Sequence, residues 1–150
     1  MITHQQAIQQ AYAALGAAIS GDNEVVNRLF AELDEQIGSE RMYDVHSGIA
    51  HAGEHLLHRI YQERAPDVAA GGIWTVDLLR PDAFGEEPHG MYALRFLVAY
   101  ANHDHATCIA LFRAAESLGP DHVAACTWQL VSDIAMLARS VLDRTDPQED

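Results

Sequence analysis

Four histidines lie within thirteen residues of a single predicted helix, and their side chains are the ones in this chain best suited to chemistry. They are His46, His51, His55 and His58. Histidine changes its charge near neutral pH and is the commonest metal ligand in proteins. His51 and His55 are four positions apart, so on a helix they are neighbours able to bind one zinc or nickel ion. This spacing predicts a metal site or a pH-sensitive surface.

A metal ion on this helix would need ligands beyond the first pair, because zinc sites usually have three or four protein ligands. His58 lies one turn after His55, and His103 and His105 stand together at the start of a later predicted helix. The candidate metal ligands are therefore His51, His55, His58, His103 and His105. Two simpler interpretations stay open. A histidine-rich face also suits a polar interface with another chain, and the later pair flanks Asp104, a typical helix cap.

The segment from His51 to His55 resembles two known metal-binding patterns. Its sequence, with Glu54 before the second histidine, is similar to the HxxEH motif of inverted zinc peptidases over five residues. Those enzymes are larger and have a mixed α/β fold. The same pair resembles the HxxxH pair of helical bundles of the damage-inducible thiol-transferase type, which add a histidine from another helix. Ligands in those bundles face a cleft, whereas the periodicity here turns the pair away from the apolar face.

An aliphatic stripe on the same helix predicts which side faces the core. Its members recur every three or four positions, which is the helical period. They are Met42, Val45, Ile49, Gly53, Leu56 and Ile60. His51, His55 and His58 project from the opposite side, together with Asp44, whereas His46 lies beside the stripe. We therefore expect three histidines at the surface and His46 at the edge of the core.

Helix start and stop signals divide the chain into about six helices. Thr3 followed by Gln6 is the pattern of a capping box. Asp22 and Asp104 are typical N-cap residues, and Pro120 suits the first turn of a helix. The sequence therefore predicts an all-α fold in one domain.

The predicted helices form two similar halves of three helices each. A shift of 82 residues aligns Asp22 with Asp104 and Phe30 with Phe112. A shift of 81 residues aligns the apolar positions of the third helix in each half. This pattern predicts a pseudo-two-fold helical bundle. Its parts are the first unit at 1–62, a crossover loop at 63–90, the second unit at 91–145 and a tail at 146–150.

The crossover loop contains an apolar run of its own. Trp74, Val76 and Leu78 alternate with other residues, which suits a short strand or an extended apolar segment. Loops of this length are uncommon inside compact domains, but two similar halves need one long connection. We expect this run to lie as a strap on the surface of the bundle.

The last predicted helix has a second distinctive face, opposite to its own core face. This face carries Ala125, Trp128, Ser132 and Met136. Tryptophan and methionine are enriched in protein interfaces and scarce on bare surfaces. These four residues are therefore candidate interface residues, and they predict a symmetric homodimer formed through this helix.

Composition restricts the classes of partner. The chain has twenty-two acidic and nine basic residues, a formal charge of −13, and no lysine. This charge disfavours binding to nucleic acid and to anionic membranes. The absence of lysine excludes a lysine Schiff base and a P-loop. Cys108 and Cys126 are predicted to be reduced and buried, and we expect a cytoplasmic location.

Together these patterns predict a non-enzymatic interaction or regulatory protein that works through its helix faces, as a homodimer. A metal-binding or metal-dependent helical protein is the first alternative, through the histidines named above. An acidic DNA mimic that blocks a nucleic-acid-binding partner is the second. That alternative requires carboxylates arrayed like phosphates, and here the acidic residues are scattered among caps, helix ends and the crossover loop.

Overall fold

The computed structural model describes residues 3–37, 39–75 and 88–145, and in these ranges the chain is helical with no strand. The all-α prediction is confirmed, as is the number of long helices. The helices are α1 (His4–Ile19), α2 (Asn23–Gln36), α3 (Ser39–Tyr61), α4 (Pro88–Ala101), α5 (His105–Ser117) and α6 (Pro120–Thr145). Two short 3-10 turns, Gln62–Arg64 and Val68–Ala70, follow α3. Among the described helices, none combines the length and the apolar character that crossing a membrane requires.

Three of the predicted helix starts are confirmed by local hydrogen bonds. The Gln6 N–H donates to the Thr3 hydroxyl at 3.1 Å, and the Thr3 N–H donates to the Gln6 side chain at 2.8 Å, which completes the capping box. The Asp22 and Asp104 carboxylates each accept the backbone N–H three residues later. Since each cap uses only neighbouring residues, local sequence is enough to set these starts.

Helices α3 and α6 pack along each other at the centre of the bundle, and α1, α4 and α5 each pack against both of them. A close approach occurs at Gly53. A Cβ atom there would lie 2.8 Å from Cδ1 of Leu97 and 3.0 Å from Cδ1 of Ile134. Glycine at this position therefore lets α4 and α6 come nearer to α3 than a larger residue would.

The buried face of α3 is wider than its aliphatic stripe and is rotated toward His46. Its buried residues are Met42, Val45, His46, Ile49, Ala50, Gly53 and Leu57. Leu56 and Ile60, which we predicted to face the core, are only half-buried. The reason is that α3 packs against α1, α4 and α6, so it is covered from three directions rather than one.

Part of the crossover segment lies on the bundle. Trp74 is buried, and its backbone N–H and C=O both bond to the Asn102 side chain, at 2.6 and 2.9 Å. Its ring also packs edge-on against Tyr61. Val76 and Leu78, the other residues of the predicted strap, lie outside the described residues.

Candidate functional site

A cavity lies between α2 and α6, and the end of α5 and one turn of α3 complete it. Its volume is about 540 Å³. Cavities of this size are typical of small-molecule sites. Its walls are formed by Asn27, Phe30, Ala31, Asp34, Met42, Glu116, Gly119, Pro120, Val123, Ala124, Thr127 and Trp128.

The cavity exists because α2 and α5 pack differently, although the predicted repeat aligns them. Helix α5 packs against α3, α4 and α6, and its Phe112 is buried. The Phe112 ring lies 5.6 Å from that of Tyr43 and 5.2 Å from that of His46. Helix α2 packs chiefly against α1. Phe30, the residue aligned with Phe112, is half-buried and lines the open space instead.

A buried polar network lies next to the cavity and shares Thr127 with its wall. His46 is fully buried, with Nδ1 2.7 Å from the Tyr92 hydroxyl and Nε2 2.6 Å from the Thr127 hydroxyl. The Thr127 hydroxyl donates to the Val123 carbonyl at 2.9 Å, so it accepts from Nε2–H. Nδ1 is then the acceptor of the Tyr92 hydroxyl proton. This order of donors and acceptors satisfies a neutral imidazole and assigns its proton to Nε2.

Burial keeps this network uncharged. It lowers the pKa of His46 from 6.5 to about 3, because the desolvated imidazolium has lost its hydration. Burial also raises the pKa of Tyr92 well above its usual range. Thr127 belongs both to the network and to the cavity wall, so the network holds one side of the cavity rigid. His46 was predicted only at the edge of the core.

The surface position of His51, His55 and His58 is confirmed, since all three are exposed. The rings of His51 and His55 are 4.7 Å apart and nearly perpendicular. Nδ1 of His51 also lies 3.3 Å from the Tyr100 hydroxyl. His58 packs instead against the buried ring of Trp74, at 5.6 Å. The third histidine therefore contacts a different aromatic partner from the first pair.

The two later histidines reach the same side of the bundle as the His51 pair. His105 packs on the ring of Tyr100 at 5.9 Å, and Nε2 of His103 lies 3.6 Å from a carboxylate oxygen of Glu54. Tyr100 thus contacts both His51 and His105. Among residues 3–37, 39–75 and 88–145, no three His, Cys, Asp or Glu side chains are arranged to hold a metal ion.

The predicted interface residues of α6 have different environments. Trp128 is half-buried and forms part of the cavity wall. Ala125 and Ser132 are half-buried, while Met136 is exposed. The tryptophan that suggested a binding face therefore belongs to a concave site rather than to a flat surface.

Two carboxylates of the cavity, Asp34 and Glu116, were not recognised as site residues from the sequence. Each follows by four positions one of the aligned phenylalanines, Phe30 and Phe112. The signal that could have identified them is this shared Phe-to-acid spacing, which places each carboxylate one helical turn from a phenylalanine.

Both cysteines of the chain are buried and in the thiol form near neutral pH. Burial raises the thiol pKa of Cys108 and of Cys126 to about 11, so neither is a thiolate near neutral pH. The cavity walls contain aromatic, aliphatic, amide, hydroxyl and carboxylate groups, which suit recognition of a ligand.

Comparisons of this chain with protein-family models, with curated proteins and with solved structures give no match.

Proposed function

We propose that the protein is a non-enzymatic binding protein that holds a small ligand in the cavity between α2 and α6. The observation that carries this proposal is a cavity of about 540 Å³ walled by Phe30, Met42 and Trp128. Large apolar side chains around a concave space gain free energy when a ligand displaces water from them. A cytoplasmic location is part of the proposal, and the two free, buried cysteines suit a reducing compartment.

A regulatory role follows from the way that α2 is held. Because α2 packs chiefly against α1, few contacts fix its distance from α6. A ligand that touches Phe30 on one wall and Trp128 on the other would stabilise one position of α2. A partner that recognises α2 would then respond to the ligand.

The proposal is tested by filling the cavity from its rim. Ala124 is exposed and lines the cavity, so Ala124→Trp would occupy it without disturbing the core. We expect Nile red, a neutral apolar dye, to bind the unmodified protein with increased fluorescence, and Ala124→Trp to weaken that binding at least tenfold. Ala110→Trp is the matched control, because Ala110 is exposed on α5 outside the cavity. No dye binding, or equal binding by both variants, would reject the proposal.

We also propose that the bundle is an internal repeat of a three-helix unit. The turns at 20–22 and 102–104 have matching hydrogen bonds: the Asp22 N–H donates to Ala17 at 2.9 Å, and the Asp104 N–H donates to Ala99 at 2.8 Å. The helix contacts correspond as well. Helix α1 packs against α2, α3 and α6, and α4 packs against α5, α6 and α3. Both observations support two units related by a pseudo-two-fold axis.

A homodimer formed through the exposed part of α6 is the remaining element of the proposal. Met136 is 49% exposed and borders a shallow apolar depression with Leu94 and Leu137. Grouped apolar side chains on a surface are typical of interfaces. We expect light scattering to report a dimer for the unmodified protein and a monomer for Met136→Glu. Leu142→Glu, on another side of α6, is the control, and a monomeric unmodified protein would contradict the idea.

A further inference from the structure

We infer that the ligand of the cavity between α2 and α6 is a small organic cation with an apolar body. This inference rests on the proposed function and adds the chemical class of the ligand. It comes from the charges at the cavity, from the aromatic rings in its walls, and from the helix ends that meet there.

The charged groups of the cavity wall are all negative. Asp34 and Glu116 line it from α2 and α5, and no arginine or histidine is among its wall residues. Neither carboxylate forms an ion pair with a basic side chain within the described part of the chain. A cation in the cavity would be attracted by both carboxylates, whereas an anion would be repelled by both.

The helix ends at the cavity also favour a positively charged ligand. Asp34 lies in the last turn of α2, and Glu116 lies in the last turn of α5. Each C-terminal end has an effective charge of about −0.5, because the peptide dipoles of a helix are aligned along its axis. The N-terminal end of α6, at Pro120, has an effective charge of about +0.5, which disfavours a cation. This charge is smaller than the combined negative charge of the two carboxylates and the two C-terminal helix ends.

The rest of the wall suits an apolar body that bears the positive charge. Phe30 and Trp128 present aromatic rings, whose faces attract cations. Met42 and Val123 add apolar surface to the wall. The walls therefore combine the two kinds of group that bind lipophilic cations, namely aromatic faces and carboxylates, in one space.

Tetraphenylphosphonium and tetraphenylborate test the inference, because they have nearly the same size and shape and opposite charges. We expect calorimetry to show that the phosphonium binds at least tenfold more tightly than the borate. The D34N/E116Q double variant should lose at least tenfold in affinity for the phosphonium. E35Q, which removes a charge from an exposed neighbour on α2, should change this affinity less than twofold. Unchanged circular dichroism would establish that each variant is folded.

Two results would overturn the inference. One is equal or tighter binding of the borate, and the other is a double variant that keeps the preference for the phosphonium. The Nile red measurement separates these results from failure of the proposed function. If the dye binds in a manner that Ala124→Trp weakens, while the phosphonium has no advantage, the cavity is a ligand site for a different chemical class.

Discussion

Nε2 of His46 and the hydroxyl oxygen of Thr127 lie 2.6 Å apart where α3 meets α6. The predicted 81-residue shift aligns these two positions with each other. A polar pair therefore occupies the contact between the two long helices, at a place where both residues are buried. Since a buried donor without an acceptor is destabilising, this bond also restricts how α3 and α6 can rotate against each other.

The buried imidazole predicts that the protein loses stability in mild acid. His46 stays neutral in the folded protein because its pKa is lowered to about 3, whereas the unfolded chain takes up a proton below its ordinary pKa of 6.5. Between pH 3 and pH 6.5, unfolding is therefore accompanied by uptake of a proton. The free energy of unfolding is highest above pH 6.5 and falls as the pH is lowered. Between pH 7.5 and pH 5.5, protonation of this single group should lower the free energy of unfolding by about 1.4 kcal/mol.

Urea unfolding at the two pH values measures this effect, with His46→Gln as the comparison. The variant removes the titrating group and keeps a donor and an acceptor in its side chain. We expect its stability to vary less with pH than that of the unmodified protein. An identical pH dependence in the two proteins would show that His46 is not the group responsible.

Thr127→Val should destabilise the protein more than Thr127→Ser does. Valine keeps the volume of threonine and removes the hydroxyl, so Nε2–H of His46 loses its acceptor, at a cost of about 1–3 kcal/mol. Serine keeps the hydroxyl and loses one methyl group, which is worth about 0.8 kcal/mol. Chemical denaturation of both variants at pH 7.5 gives the comparison. A greater loss of stability in the serine variant would mean that packing of the methyl group contributes more than the hydrogen bond at this position.

Gly53→Ala and Gly16→Ala should change stability in opposite directions. Both glycines lie inside helices, where alanine is favoured by about 1 kcal/mol. At Gly16 a Cβ atom would meet nothing within 4 Å, so we expect a gain close to that value. At Gly53 it would press on the buried Leu97 and Ile134, and such overpacking costs about 1–3 kcal/mol. Thermal unfolding of the two variants measures these changes. A melting temperature above that of the unmodified protein in both variants would contradict this packing.

The surface histidines predict weak, two-ligand metal binding. His51 and His55 are adjacent, but within the described residues no third ligand converges on them. We expect protein purified without a histidine tag to retain no stoichiometric zinc or nickel after dialysis. Elemental analysis of the unmodified protein and of H51A/H55A makes the comparison. A full equivalent of metal that the double variant lacks would favour the metal-dependent alternative.

Local sequence signals were sufficient for the helices themselves. Thr3 with Gln6, the caps at Asp22 and Asp104, and the start of α6 at Pro120 were all predicted and confirmed. Each depends on groups only a few residues apart, whose geometry the helix itself dictates. The outward direction of the histidines at 51, 55 and 58 follows in the same way from helical periodicity.

Only the tertiary structure decided which of these residues form a site. The rotation that buries His46 depends on three neighbouring helices, and the cavity depends on α2 packing chiefly against α1 while α5 packs against α4 and α6. Asp34 and Glu116 meet at that cavity although 82 residues separate them. No local pattern contains such relations, because they arise from how whole helices fill space against one another.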